Sequence, residues 1–432
     1  MCQTLLFIPA RLPDWLGGWP VFGWGALLAV WMTLGVGVAI WLARRDGWTM
    51  ETLNQLGMYA LCGAALAFLP PWFDLLADGG LPIRGYGVLL LTAVASAVAL
   101  SVRRGRQAGQ DPEMILSLGT WLFVSGIGGA RVFYILHFWS QFQRPSIGET
   151  IKSMLNVAQG GLVVYGSLLA GGLALFVFVR KYRLPGLAMA DVVVPGVVLG
   201  MAIGRLGCFM NGCCYGGQCD LPWAVAFPWG SPPFVDQVRA GKLALDGLRF
   251  DGPGEGPATL TGVEPGSTAE LHGLRAGDRI VEVNRVPTPT LDDALAALLR
   301  VRRPGDSVWL RVADKPQPFS WSAGELPQHS LPVHPSQLYS AFDAFLLCAF
   351  LLAYSPFRRR DGELLALLMT IHPVSRFLLE MTRNDEGAVF WRLTVSQLIS
   401  LGLLLSAAAL WTYLLSRPAK LTWPASSPAS QG

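Results

Sequence analysis

Gly204-Arg205-Leu206-Gly207-Cys208-Phe209-Met210-Asn211-Gly212-Cys213-Cys214-Tyr215-Gly216 closes an apolar run that begins near residue 187. The run up to residue 206 is long enough to cross a bilayer as a helix, which takes about 20 residues. An arginine at its end is costly in apolar surroundings unless it meets an anionic partner or reaches the interface. The four glycines of the segment open turns and close backbone approaches that other residues forbid. The segment therefore reads as a membrane exit that presents a cation.

The rest of the chain repeats the pattern. Of 432 residues, 52% are hydrophobic and 14% charged, whereas a soluble domain carries about 25% charged residues. Nine spans are expected, at 22–43, 53–73, 85–102, 114–137, 162–180, 187–206, 336–356, 362–381 and 394–415. Basic residues cluster after alternate spans, at Arg44-Arg45, Arg103 to Arg106, Arg180 to Arg183, Arg358 to Arg360, and Arg417 with Lys420. Cytoplasmic loops carry the excess of lysine and arginine, which puts the N-terminus outside and the C-terminus inside. The net charge of +4 is spread over helix ends, so no nucleic acid partner is expected. Residues 1–20 hold no sustained apolar core for a cleavable signal, and no apolar segment precedes Cys2.

Five segments follow. Residues 1–80 form an extra helix pair whose Gly23-Trp24-Gly25-Ala26-Leu27-Leu28 parallels Gly85-Tyr86-Gly87-Val88-Leu89-Leu90. Residues 81–230 form a first membrane core with a small head, residues 231–330 a polar insertion, residues 331–416 three more membrane helices, and residues 417–432 a Pro/Ser/Ala-rich tail expected to be disordered. Within the insertion, residues 256–314 resemble a PDZ domain of the bacterial protease-associated type. The resemblance rests on Gly262 to Glu270 and on Gly273-Leu274-Arg275-Ala276-Gly277-Asp278-Arg279-Ile280, which turns into a strand through Asn284. Leu291–Arg300 reads as the helix that follows. Such domains bind extended peptides by adding a strand at a sheet edge; a ligand-free spacer is the alternative.

From residue 83 onward the membrane part resembles the phosphatidylglycerol–prolipoprotein diacylglyceryl transferase family. The matching pieces run in order: Arg84-Gly85-Tyr86-Gly87; Gly128 to Tyr134; Gly160 to Gly166; Gly204 to Gly216; Pro222 to Pro228; His334-Pro335-Ser336-Gln337-Leu338-Tyr339; and Arg376 to Arg383. The resemblance implies an all-α polytopic enzyme of the bacterial inner membrane, seven of its helices forming the family core, with the PDZ-like insertion extracytoplasmic. It implies transfer of a diacylglyceryl group from phosphatidylglycerol to the lipobox cysteine of a secreted prolipoprotein. Membrane lipid and that precursor, or another extracytoplasmic peptide, are the implied partners, and no cofactor or metal is implied. The alternatives are a transferase for another acceptor and a non-enzymatic scaffold that presents the PDZ-like domain.

Arg205 and Arg383 are the expected phosphate-binding pair, because an arginine fork matches phosphate oxygens; each alone also fits an interfacial anchor. Tyr165 stands where the family carries a histidine, and Cys208 and Cys213 where it carries an asparagine and a glutamate. Tyr86, Arg131, Asn211, Gly212, Gly216, His334 and Glu380 are the expected substrate-binding group. Arg131 alternatively serves a helix end or pairs with Glu380, Glu380 alternatively pairs with Arg376 one turn away, and His334 alternatively braces the next helix. Cys208, Cys213, Cys214 and Cys219 lie within twelve residues. An oxidising compartment favours disulfides, Cys208 with Cys213 or Cys214 and the remaining one with Cys219. Free thiols are the alternative; the spacing fits no common zinc pattern.

Overall fold

The structure is a computed structural model of the chain. It describes residues 4–9, 23–47, 49, 52, 56–57, 59–60, 80–143, 146–155, 163–301, 304–315, 317–324, 326–383 and 393–423. Most of the expected span 53–73, the Gly160-Gly161-Leu162 part of its motif and the end of the tail lie outside these residues. The chain divides into two compact units: residues 2–88, 95–196 and 420–432 in one, residues 89–94 and 197–419 in the other.

In the first unit, β1 (Thr4–Pro9) precedes helix α1 (Gly23–Asp46) and pairs antiparallel with β2 (Gly80–Arg84). Helix α2 (Gly85–Gln107) follows at once, then α3 (Pro112–His137), with Asp111 capping and Pro112 at its first position, where a missing N–H costs nothing. After α4 (Ile147–Leu155) comes α5 (Val164–Lys181), packed on α3. The two cross at Gly129 and Gly166, so close that a Cβ on Gly129 would stand 2.5 Å from the Gly166 carbonyl oxygen. Membrane helices approach closely where small residues meet. Ile115, Leu118, Phe178, Met189 and Val192 fill the core here, and Arg104 ties α2 to the carbonyls of Asp191 and Val192.

Helix α6 (Gly186–Asn211) runs on past the expected end at 206. Cys208, Phe209 and Met210 keep the segment apolar for one more turn, so the first half of the Gly204–Gly216 run is helical. The insertion begins with α7 (Pro232–Arg239), continues through the hairpin β3 (Leu248–Phe250) and β4 (Leu260–Val263), and passes through the single turn α8 (Thr268–Leu271). Then come β5 (Ile280–Val283), β6 (Val286–Pro287), α9 (Leu291–Leu298), β7 (Ser307–Val312) and β8 (Phe319–Ser322). The four strands β6-β5-β7-β8 form one antiparallel sheet. Thr290 and Asp293 close a capping box on α9. Leu248, Phe250, Leu260, Ile280, Leu295 and Leu310 lie in the shared core of this soluble region.

The chain returns to apolar helices with α10 (Ser336–Tyr354), α11 (Glu363–Glu380) and α12 (Val395–Leu415), in which α11 packs on both neighbours. Among the described residues five helices are long and apolar enough to cross a membrane: α2, α3, α6, α10 with the turn after it, and α12. The protein is thus a multi-pass membrane protein. The expected spans over α5 and α11 fall on helices of 18 residues each. The first ends in Arg180-Lys181, and the second carries Glu363, Arg376 and Glu380.

Candidate active site

The second unit gathers three of the sequence motifs at one place. Helix α6 carries Arg205 near its end and stops at Asn211, where Gly212 takes a left-handed turn at φ +78°. The Cys213 N–H closes back on the Cys208 carbonyl at 3.2 Å. Cys214 is also left-handed, at φ +59°, a region where non-glycine residues are uncommon. Two side chains at the start of α10 hold this loop: Ser336 Oγ donates to the Cys214 carbonyl at 2.7 Å, and Gln337 Nε2 to the Cys213 carbonyl at 2.8 Å.

The loop then threads between two other segments. The Gly216 N–H donates to the His334 carbonyl and the Gly217 N–H to the Thr382 carbonyl, both at 2.8 Å, and the His334 N–H returns to the Gly217 carbonyl at 2.9 Å. A Cβ on Gly216 would sit 2.6 Å from the His334 Cβ and 2.8 Å from the Thr382 carbonyl oxygen. Only glycine fits there. Gly216, His334 and the residue before Arg383 are thereby one knot. His334 also sets Nδ1 3.4 Å from the Tyr339 hydroxyl, which accepts the Trp223 indole N–H at 2.8 Å, so His334 braces α10.

Arg205 and Arg383 converge electrostatically on one group. Hydrogen bonds from the Cys208 and Cys213 thiols, and then the charges of Arg205 and Arg383, hold the Cys214 thiol well below the usual thiol range. The sulfurs of Cys208, Cys213 and Cys214 lie within 4.8 Å of one another, and Cys219 stands outside that group. All four are thiols in this structure. Three thiols at that spacing suit a disulfide between two of them or a soft metal ion.

Glu380 does not face this loop as a lone carboxylate. It is buried and paired with Arg376 at 2.5 Å, while Arg376 also donates to Ser396 Oγ at 3.0 Å, tying α11 to the first turn of α12. The sequence reading missed two ionisable residues: His372 on α11, on which the charges of Asp343, Arg205 and Arg376 act, and Asp343 on α10, which accepts a bond from Ser375 at 2.8 Å. The signal was present, since an ionisable residue inside an apolar helix is a functional candidate by default.

The remaining candidates belong to the other unit. The Arg131 guanidinium is buried, donates to the Ser153 and Met154 carbonyls at 2.9 and 2.8 Å, and lies over the rings of Tyr134 and Phe142. It serves the carboxyl end of α4, where helix carbonyls favour a cation. Tyr86 occupies the first turn of α2 and is exposed. Tyr165 occupies the first turn of α5, and its side chain lies outside the described residues.

Known proteins are similar to this chain in sequence. Residues 74–413 match the family described as prolipoprotein diacylglyceryl transferase. A relative from Rhodopirellula baltica, named phosphatidylglycerol–prolipoprotein diacylglyceryl transferase, is 32% identical over 93% of this chain and 87% of its own length. Relatives of the same name from Synechococcus elongatus and Trichormus variabilis are 38% and 34% identical, over 40% and 38% of this chain and 57% and 56% of theirs. With most of its length matched by that family and by a relative of similar size, the chain belongs to the prolipoprotein diacylglyceryl transferase family.

Proposed function

We propose that this protein transfers the diacylglyceryl group of phosphatidylglycerol to the lipobox cysteine of secreted prolipoproteins. The observation that carries the reading is the convergence of Arg205 and Arg383 on one loop, knotted through Gly216, at the ends of α6 and α11. The acceptor thiolate attacks the glycerol carbon that bears the phosphate ester. A carbon–sulfur bond forms, the carbon–oxygen bond breaks, and glycerol-1-phosphate leaves. Charge develops on the departing phosphate oxygen, where two fixed guanidinium groups stabilise it most. The proton of the acceptor thiol goes to a base, and Arg205 acts on two candidate groups, Cys214 and His372. Tyr165, in the family's histidine position, supplies a hydroxyl to the phosphate or the thiol. In the second unit Asn211, Gly212, Gly216, His334 and Glu380 shape the lipid and peptide site, Glu380 by bracing helices; in the first unit Tyr86 is proposed for the lipid and Arg131 braces a helix end.

The nine-span topology, with the N-terminus outside and the C-terminus in the cytoplasm, belongs to the same reading. It places the Gly212–Cys219 loop and the insertion on the outer face of the inner membrane. The insertion is read as a PDZ-like module on its Gly273–Ile280 motif, its antiparallel sheet and the capped helix α9. The deciding experiment is rescue: a host depleted of its own transferase, expressing this chain, resumes diacylglyceryl modification of a lipobox precursor. Failure of the intact, inserted protein to rescue overturns the reading.

The outer face is oxidising, which supports a Cys208–Cys213 disulfide; that bridge removes the two thiol donors to Cys214 and leaves the charges of Arg205 and Arg383 to lower the pKa of its thiol. Alkylation of unreduced protein followed by mass spectrometry then labels Cys214 and Cys219 and spares Cys208 and Cys213. Labelling of Cys214 gains less from about pH 6 to pH 9 than the roughly two-hundredfold rise in thiolate of a thiol of ordinary pKa, about 8.5. The full rise of roughly two-hundredfold at Cys214 rejects the action of the two cations on it.

A further inference from the structure

We propose that the PDZ-like module already holds a ligand in cis, residues 232–245, and that this ligand also clamps the loop bearing Cys213 to Gly217. The inference rests on the PDZ-like reading of the insertion. In such a module the peptide adds along a strand edge beside a helix; here that strand is β3 and that helix is α9.

One edge of β3 is paired with β4, Leu248 opposite Val263 and Phe250 opposite Leu260. The other edge is taken by the chain itself. The Leu248 N–H and carbonyl both bond Leu245, at 2.9 and 3.0 Å, across a turn in which Asp246 and Gly247 are left-handed. Farther along, Gly241 lies so near β3 that a Cβ on it would stand 2.8 Å from the Phe250 carbonyl oxygen, and the Arg249 guanidinium donates to the Gly241 carbonyl at 2.9 Å. The Leu245–Leu248 bonds and the close approach of Gly241 to Phe250 thus set the chain's own segment along this edge of β3.

Helix α7 completes the occupation. Phe234 and Val238 are fully buried in the same apolar cluster as Leu248, Phe250, Leu291 and Leu295. Arg239 pairs with Asp292 in the first turn of α9 at 2.5 Å, and the Trp229 indole N–H donates to the Leu299 carbonyl just past its last turn at 3.1 Å. Arg239 of the segment and Trp229, three residues before it, thus pin the chain at both ends of α9.

The opposite side of α7 grips the active-site loop. Asp236 accepts the Tyr215 hydroxyl at 2.7 Å. Gln237 bonds Leu331 twice, accepting its N–H at 2.6 Å and donating to its carbonyl at 3.1 Å, three residues before His334. A cleft of about 320 Å³ opens between the two layers, lined by Tyr215, Gln218, Asp236, Gln237 and Lys242. An extended peptide that displaces 232–245 from β3 must also pull Asp236 and Gln237 off the loop and off its partner strand. Peptide capture outside the membrane and the order of the loop beside Arg205 are therefore linked.

The test uses the full chain in nanodiscs containing phosphatidylglycerol, with a fluorescein-labelled peptide of residues 229–245 as probe. Gly241→Val drives a side chain against the Phe250 carbonyl, and Asp292→Ala, which removes the ion pair to Arg239 and leaves the Arg239–Asp236 pair in place, serves if the first variant does not fold. The opened variant should bind the probe about tenfold or more tightly than the parent, because a site occupied in cis lowers apparent affinity by its free fraction. Hydrogen exchange should rise in 232–245 and, with it, in 213–217 and 331–334. Equal binding by parent and variant overturns the cis ligand and leaves the PDZ-like reading intact. A variant whose exchange shows 232–245 released, yet which binds no peptide, overturns the PDZ-like reading and this inference with it. Release of 232–245 without faster exchange at 213–217 overturns the clamp.

Discussion

Arg205→Ala and Arg383→Ala should each lower diacylglyceryl transfer by roughly 100- to 1000-fold, the usual loss when one fixed donor to a developing oxyanion is removed. Both charges act on the same loop residue, Cys214, so the two guanidinium groups work as a pair. The double variant should fall little further than the worse single one, since members of one constellation are not additive. Arg205→Lys keeps the charge and loses the planar fork, and should recover only part of the rate. The measurement is transfer to a fluorescent lipobox peptide in phosphatidylglycerol nanodiscs, with the sparing of Cys208 and Cys213 from alkylation confirming that the head is intact. Rates within about threefold of the parent, for variants that keep that pattern, would remove the clamp from the mechanism; a threefold change is about 0.65 kcal/mol and within what an uninvolved position shows.

Much of this was legible in the chain itself, for identifiable reasons. Helices α2, α3, α6, α10 and α12 are visible because span length and hydropathy are properties of a single segment. The meeting of Gly216, His334 and Thr382 was not, since 118 and 166 residues separate Gly216 from the other two (334 − 216 and 382 − 216). No local pattern encodes such a contact; the glycine only marks that some backbone comes close. Arg131 shows the converse. Its residue type and depth allowed a role toward phosphate, and the structure gives its guanidinium to the carboxyl end of α4, a 9-residue helix too short to stand out by periodicity. His372 was passed over because it sits beside Pro373 in a segment read only for its Arg376–Arg383 motif. The cis occupation of β3 was hidden for another reason. Leu243-Ala244-Leu245-Asp246-Gly247-Leu248 carries the Asp-Gly signal of a hairpin, but its first arm is too short to register as a strand.

The knot at Gly216 makes the second large prediction. Gly216→Val adds a side chain where even a Cβ stands 2.6 Å from the His334 Cβ and 2.8 Å from the Thr382 carbonyl oxygen. Neither neighbour can yield cheaply, because the first is branched from a bonded backbone and the second is itself the acceptor for the Gly217 N–H. The loop, the strand before α10 and the turn after α11 must separate, and Arg383 follows Thr382 directly. Overpacking of this kind costs about 1–3 kcal/mol, which a multi-helix membrane protein survives. A displacement of about 1 Å at a reacting centre, in contrast, costs on the order of a hundredfold in rate. The variant should therefore insert and keep its α7–α9 contacts while losing transfer activity as severely as Arg383→Ala. Gly204→Ala is the matched control: it lies in the same motif, yet a Cβ there meets nothing within 4 Å, so its rate should stay within about threefold of the parent. If Gly216→Val, correctly inserted, transfers as well as Gly204→Ala, the loop does not position Arg383 and the knot is structural ornament rather than part of the site.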